Sequence, residues 1–124
     1  MTRNKKTENF YRRRLFVRLD ELQHKAEWPL AKRPTDAAFK DARAFVENLP
    51  LGMIPLPTIG VADDGEVNFL WTSQRTYVDL GFYGDGTFSF FGQREGEAPI
   101  FGDNLPADGG VPRPFFCLFG EAVT

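Results

Sequence analysis

Between residues 57 and 92 the sequence PTIGVADDGEVNFLWTSQRTYVDLGFYGDGTFSFFG sets short runs of β-branched and aromatic residues between Asp-Asp-Gly, Ser-Gln-Arg and Gly-Asp-Gly breaks. Breaks at that interval leave pieces of strand length, so the stretch predicts an antiparallel meander. Asp64-Gly65 and Asp85-Gly86 are turn pairs in which glycine accepts the positive φ that a tight hairpin demands. Period-two alternation puts Val67, Phe69 and Trp71 on one face of their strand, with Glu66, Asn68 and Thr72 on the other. The next strand repeats the pattern with Val78, Leu80 and Phe82 against Tyr77, Asp79 and Tyr83, and Phe88 and Phe90 follow from a third. A sheet with one apolar and one polar face needs a cover for the apolar one.

The cover is expected from the residues before the meander. Residues 1 to 7 are polar and expected to fray. From residue 8 to 25, Tyr11, Leu15, Leu19 and Leu22, with Ala26 beyond, recur at steps of three and four and trace a helical stripe. Trp28-Pro29 is expected to end this helix, because proline disfavours helical geometry at the residue before it. Thr35 is the expected N-cap of a second helix over residues 36 to 48, with Asp36 at the positive end of its dipole and Pro50 as its stop. Ala38, Ala42, Phe45, Val46 and Leu49 line its apolar face, which should rest on Phe69, Leu80 and Phe90. Residues 51 to 57 read as an extended, proline-stiffened connector. Residues 98 to 101 predict an edge strand, residues 102 to 114 a loop, and residues 115 to 119 a short buried strand or docked turn. The fold class is therefore α+β: two N-terminal helices, then an antiparallel meander of four to five strands with one helix over it. The 124 residues suit a single domain.

Charge is distributed unevenly. Residues 1 to 33 hold ten Lys and Arg against four acids, net +6, whereas the rest hold five against thirteen, net −8. A basic head on an acidic body admits three readings: nucleic acid on the head, a basic groove on the body, or the two facing each other within the fold. Arg12, Arg13, Arg14 and Arg18 mostly lie off the apolar stripe, where they either contact phosphates or form an ordinary solvated face. Asp63, Asp64, Glu66, Asp79, Asp85, Glu95 and Glu97 fall in strands and turns and define a candidate acidic surface.

No cofactor, metal or catalytic residue is expected. His24 is the only histidine and has no ligand or base partner nearby in sequence, so it is expected on the surface. The acids lack the spacing of an EF-hand, and turn chemistry accounts for them. The glycines near Gly84 and Gly86 do not open a helix and so make no dinucleotide loop. Cys117 sits in an apolar run that should blunt it as a nucleophile, and a lone cysteine forms no internal disulfide. The start of the chain is charged, and no run reaches the length of a membrane span, so a cytoplasmic protein with no membrane partner is expected.

The order of these features resembles a widespread set of short uncharacterised bacterial and phage proteins. In that set a WDGYGA-like segment precedes the second helix, and P-x-I-x-x-x-x-D-G-x-V-x-L-x-W opens the sheet. The likeness spans roughly residues 10 to 92, is densest from Pro57 to Trp71, and departs at WPLAKR from Trp28 to Arg33. It implies the same helix–helix–meander fold and no established activity. The setting of that set on mobile elements implies defence or counter-defence work, including anti-CRISPR-like inhibition. Two functions follow as expectations. One is a non-catalytic protein-binding inhibitor or modulator that sets its acidic, aromatic-rich surface against the basic groove of a nucleic-acid-handling complex. The alternative is an accessory protein that binds nucleic acid directly through the basic N-terminal helix.

Overall fold

The computed structural model describes residues 5–25 and 33–119. Its elements run α1 (Lys5–Gln23), α2 (Asp36–Glu47), β1 (Thr58–Val61), β2 (Val67–Thr72), β3 (Thr76–Phe82), β4 (Thr87–Arg94), β5 (Ile100–Pro106) and α3 (Arg113–Cys117). The five strands form one sheet in the order β1-β2-β3-β4-β5, antiparallel throughout. The α+β architecture is the expected one.

Local chemistry builds the hairpins as the turn pairs predict. Gly65 and Gly86 adopt φ of 87° and 86°. In the first turn Gly65 N donates to Ala62 O, Ala62 N donates to Glu66 O, and Asp64 Oδ1 accepts from Glu66 N. In the third, Asp85 Oδ1 accepts from both the N–H and the hydroxyl of Thr87. The alternation then decides the faces: Val67, Phe69, Trp71, Val78, Leu80, Phe82, Phe88 and Phe90 are all buried. Thr35 caps α2 by accepting from Ala38 N at 3.1 Å, satisfying a donor that the helix itself leaves orphaned.

Inside, α2 lays Phe45 into a nest of three rings from the sheet, Phe69, Phe82 and Phe88, at 5.1 to 5.5 Å between centroids and with inclined planes. Inclined contacts suit the ring quadrupoles better than face-to-face stacking does. Phe39, on the same helix, is buried too. Leu15, Leu19 and Leu22 turn α1 onto this core, and α1 packs against α2 and β1.

Several sequence expectations are corrected. Residues 5 to 7, expected to fray, form the first turn of α1. The connector over residues 51 to 57 is not extended at its start: Met53 N and Ile54 N both donate to Pro50 O at 2.9 Å, a turn that buries Leu51 and Ile54. The segment assigned to loop from residue 102 is strand as far as Pro106, because the open side of β4 offers it backbone partners that composition does not reveal. Pro106, which has no N–H to give, sits at the last position of this edge strand. The apolar run from residue 115, expected as a short buried strand or docked turn, lies partly in a short helix over residues 113 to 117, whose Phe115 docks on the sheet, meeting Phe90 at 5.2 Å and Trp71 at 5.5 Å. Cys117 lies on the exposed side of that helix. The expected helix end at Trp28-Pro29, and Ala26, lie outside the described residues. Among the described residues no helix is long and apolar enough to cross a membrane.

Candidate functional site

The helices contact one side of the sheet, and the opposite side carries the acidic and aromatic residues. Register sets up its central row: Thr58 faces Leu70, Leu70 faces Asp79, Asp79 faces Phe91 and Phe91 faces Phe101 across five strands. The neighbouring row is Gly60, Asn68, Gly81 and Ser89, all small or short. Small residues beside large ones leave a depression of ≈ 330 Å³ that Glu66, Tyr77, Asp79, Phe91, Phe101 and Asp103 help to line. Tyr77, Phe91 and Phe101 make a run of rings, 6.2 and 5.4 Å between centroids, yet Tyr77 is 44% and Phe101 68% exposed.

The acids in this depression are held by specific bonds. Asn68 Nδ2 donates to Glu66 Oε1 at 2.6 Å and to Asp79 Oδ1 at 3.2 Å, tying two carboxylates of adjacent strands to one amide. Glu66 lies across Gly81 so closely that any β-carbon there would fall 1.7 Å from its Oε2. Gly81 is therefore the residue that lets the carboxylate lie flat on the sheet. Partial burial pushes the Glu66 carboxyl above its usual range, against the Asn68 hydrogen bond and with the help of Asp79 and Asp64. At the rim, Tyr83 Oη donates to Asp64 Oδ2 at 2.6 Å. That bond raises the Tyr83 phenol to about 12 and lowers the Asp64 carboxyl.

The seven acids expected to form one surface separate into groups. Asp64, Glu66 and Asp79 come together on the outer face, with Asp63 exposed in the adjoining β1–β2 turn. Asp85 lies in the β3–β4 turn at the same end, where Thr87 holds its carboxyl below the usual range. This turn leans towards α2, whose Asp41 Oδ2 accepts from Gly86 N. Glu95 and Glu97 sit at the other end of the sheet, beyond the pairing of Thr76 with Arg94, and Glu97 pairs with Arg94 at 3.7 Å. Sequence reasoning missed Phe91, Phe101 and Asp103. The pair Phe90-Phe91 held the one available signal, since adjacent strand residues point to opposite faces and one of the two had to face out.

The basic helix is also divided. Arg12, expected to point outward, turns inward: Nη1 donates to Val46 O at 2.5 Å and Leu49 O at 2.8 Å, and Nη2 lies 3.8 Å from Glu8. It satisfies carbonyls at the C-terminal end of α2, where the helix dipole favours a cation. Arg18 Nε reaches Ile59 O at 3.4 Å and its Nη1 lies 3.5 Å from Glu21. Arg13 and Arg14 remain exposed. His24 is exposed, as expected, 3.2 Å from Asp20. Among the described residues no group of three or more His, Cys, Asp or Glu side chains is placed to hold a metal ion.

The outer face can thus offer ordered carboxylates next to exposed ring faces, a combination that receives cationic side chains through ion pairs and cation–π contacts. Comparison with protein-family models, curated proteins and solved structures gave no match.

Proposed function

We propose that this chain is a small non-catalytic binding module that docks the outer face of its sheet against a basic surface of a protein partner. The observation that carries this reading is the juxtaposition of the exposed Tyr77 and Phe101 rings, joined by the half-buried Phe91, with the amide-tied carboxylates of Glu66 and Asp79. An arginine or lysine entering the depression would gain ring faces and two carboxylates at once, and it would relieve the repulsion between those carboxylates. The partner class is a complex with a basic groove, such as one that handles nucleic acid, and the module acts as its inhibitor or modulator. The resemblance to proteins of mobile elements supports a defence or counter-defence setting.

The test is affinity capture from a bacterial lysate with the native chain and with an Asp79→Lys, Phe101→Ala double variant. The native chain should retain a partner that salt elutes and that the variant loses, since opposite charge brought against a basic groove is repulsive. The same partner captured equally by both would discard the outer face as the docking surface. Direct nucleic-acid binding by α1 is the second reading, and the exposed Arg13 and Arg14 favour it. With Arg12 and Arg18 engaged on the protein's own carbonyls, it predicts a shallow salt dependence, a log–log slope of about 2 for two phosphate contacts. A gel shift at low salt without retarded DNA or RNA would end it.

A further inference from the structure

The edge of the sheet formed by β1 carries open hydrogen-bonding groups. Because Ala62 N donates to Glu66 O, counting back by twos along the register makes Gly60 and Thr58 the residues bonded to β2. The N–H and C=O groups of Ile59 and Val61 must then point away from β2. Among the described residues no strand pairs with that side. α1 runs beside it and leaves a groove of ≈ 510 Å³ between helix and strand. Leu15, Leu56 and Ile59 contribute apolar surface to the groove, and Phe10 and Val17 stand at its side, 56% and 53% exposed. Arg13, Arg14 and Arg18 border the same space, against a single acid, Glu21, among the described residues. Arg18 already donates to Ile59 O, the position that an added strand's N–H would take.

We infer that this groove is a second binding site, which takes an extended acidic peptide segment of a partner as an added strand along β1. Main-chain pairing with Ile59 and Val61 supplies the register, as in other sheets that recruit a strand at an open edge. Alternate apolar side chains of the segment fall on Phe10, Val17 and Leu56, while its carboxylates meet Arg13, Arg14 and the displaced Arg18. The sign of the rim selects an acidic segment, opposite in charge to the partner surface proposed for the outer face. An unpaired strand edge otherwise invites uncontrolled association, and Arg18 acts as its guard until a segment with the right charge arrives.

The probe is an N-acetylated, C-amidated octapeptide of alternating Glu and Val, titrated into the isotope-labelled full chain and followed by amide exchange and chemical shift. The expected result is slowed exchange at Ile59 and Val61, and affinity weakened about tenfold by Arg13→Glu with Arg14→Glu. A peptide methylated on the main-chain nitrogens that face β1 should lose binding while the protein itself is unchanged. Equal binding of a Lys–Val octapeptide, or no protection at Ile59 and Val61, overturns the inference. So does protection that grows with protein concentration alone, which assigns the edge to a second copy, or displacement of the peptide by oligothymidylate, which assigns the rim to nucleic acid.

Discussion

The two faces of this sheet are made by the same strands and carry the same kinds of ring, yet they do opposite things. On the inner face Phe69, Phe82 and Phe88 surround Phe45 at 5.1 to 5.5 Å and are excluded from water. On the outer face Tyr77, Phe91 and Phe101 approach one another at 5.4 to 6.2 Å, yet Tyr77 and Phe101 stay wet and Phe91 is only half-buried. Ring contact is nearly equal on the two sides, so contact is not what makes a core. Burial is: removing a phenylalanine side chain from water stabilises by roughly 1.5–3 kcal/mol, whereas a ring pair adds about 0.5–1.5 kcal/mol beyond its area. The helices supply that burial on one side. On the other, carboxylates tied to Asn68 stand where a covering layer would have to desolvate them.

The largest test of this contrast is Phe45→Ala, which empties the middle of the inner nest and should cost about 3–5 kcal/mol in urea unfolding. Phe101→Ala should change stability by no more than about 0.5 kcal/mol, as expected of an exposed position. Equal costs would make the outer rings a second core. Next comes Arg12→Ala, which removes a cation from the Val46 and Leu49 carbonyls and should cost about 2 kcal/mol. A loss no larger than that of Arg13→Ala would return Arg12 to the solvated face.

Gly81→Ala is smaller in energy and more local. The new methyl group takes the place of the Glu66 carboxylate, and a flexible side chain can swing clear, so stability should shift by less than about 1 kcal/mol. What changes is the titration. In the native chain the raised Glu66 carboxyl favours the fold while protonated, and that contribution is lost as pH rises through its elevated value. In the variant the group should return towards the ordinary glutamate range, visible by carbon-detected NMR; an unmoved titration would show that Glu66 does not depend on the glycine.

The smallest effect is at the rim. The raised Tyr83 phenol and the lowered Asp64 carboxyl report one hydrogen bond. Its contribution is present in full above the ordinary aspartate range and below the ordinary tyrosine value of about 10. It fades as acid protonates Asp64 through its lowered value, or as base ionises Tyr83 through about 12. Asp64→Asn should bring the Tyr83 absorbance titration back towards 10 with little change in stability. A titration still centred near 12 would assign the shift to burial and the other nearby acids.

Much of this architecture was legible in advance because its causes are short-range. The turn at Gly65, the cap at Thr35 and the inward Val67, Phe69 and Trp71 each follow from residues a few positions apart. The polar face was legible too, as far as Tyr77, Asp79 and Tyr83. Harder to see was that Glu95 and Glu97 would lie at the far end of the sheet, since that follows from how many strands separate them from Asp64. β5 was legible only at its start, Ile100 and Phe101, the rest being hidden by a composition typical of loops, and α3 was hidden by an apolar run that suits strand and helix alike.

By itself the amino-acid order determined where α1, α2 and the strands β1 to β4 form, which side of those strands is apolar, and where the hairpins turn, because φ preference, period and capping act over one to five residues. Only tertiary structure decided what became of the arginines, which acids meet, and which face stays uncovered. Arg12 finds its carbonyls 34 and 37 positions away, and Thr76 finds Leu118 O 42 positions away. Such partners become neighbours only once the sheet is assembled, and no local pattern in the chain announces them.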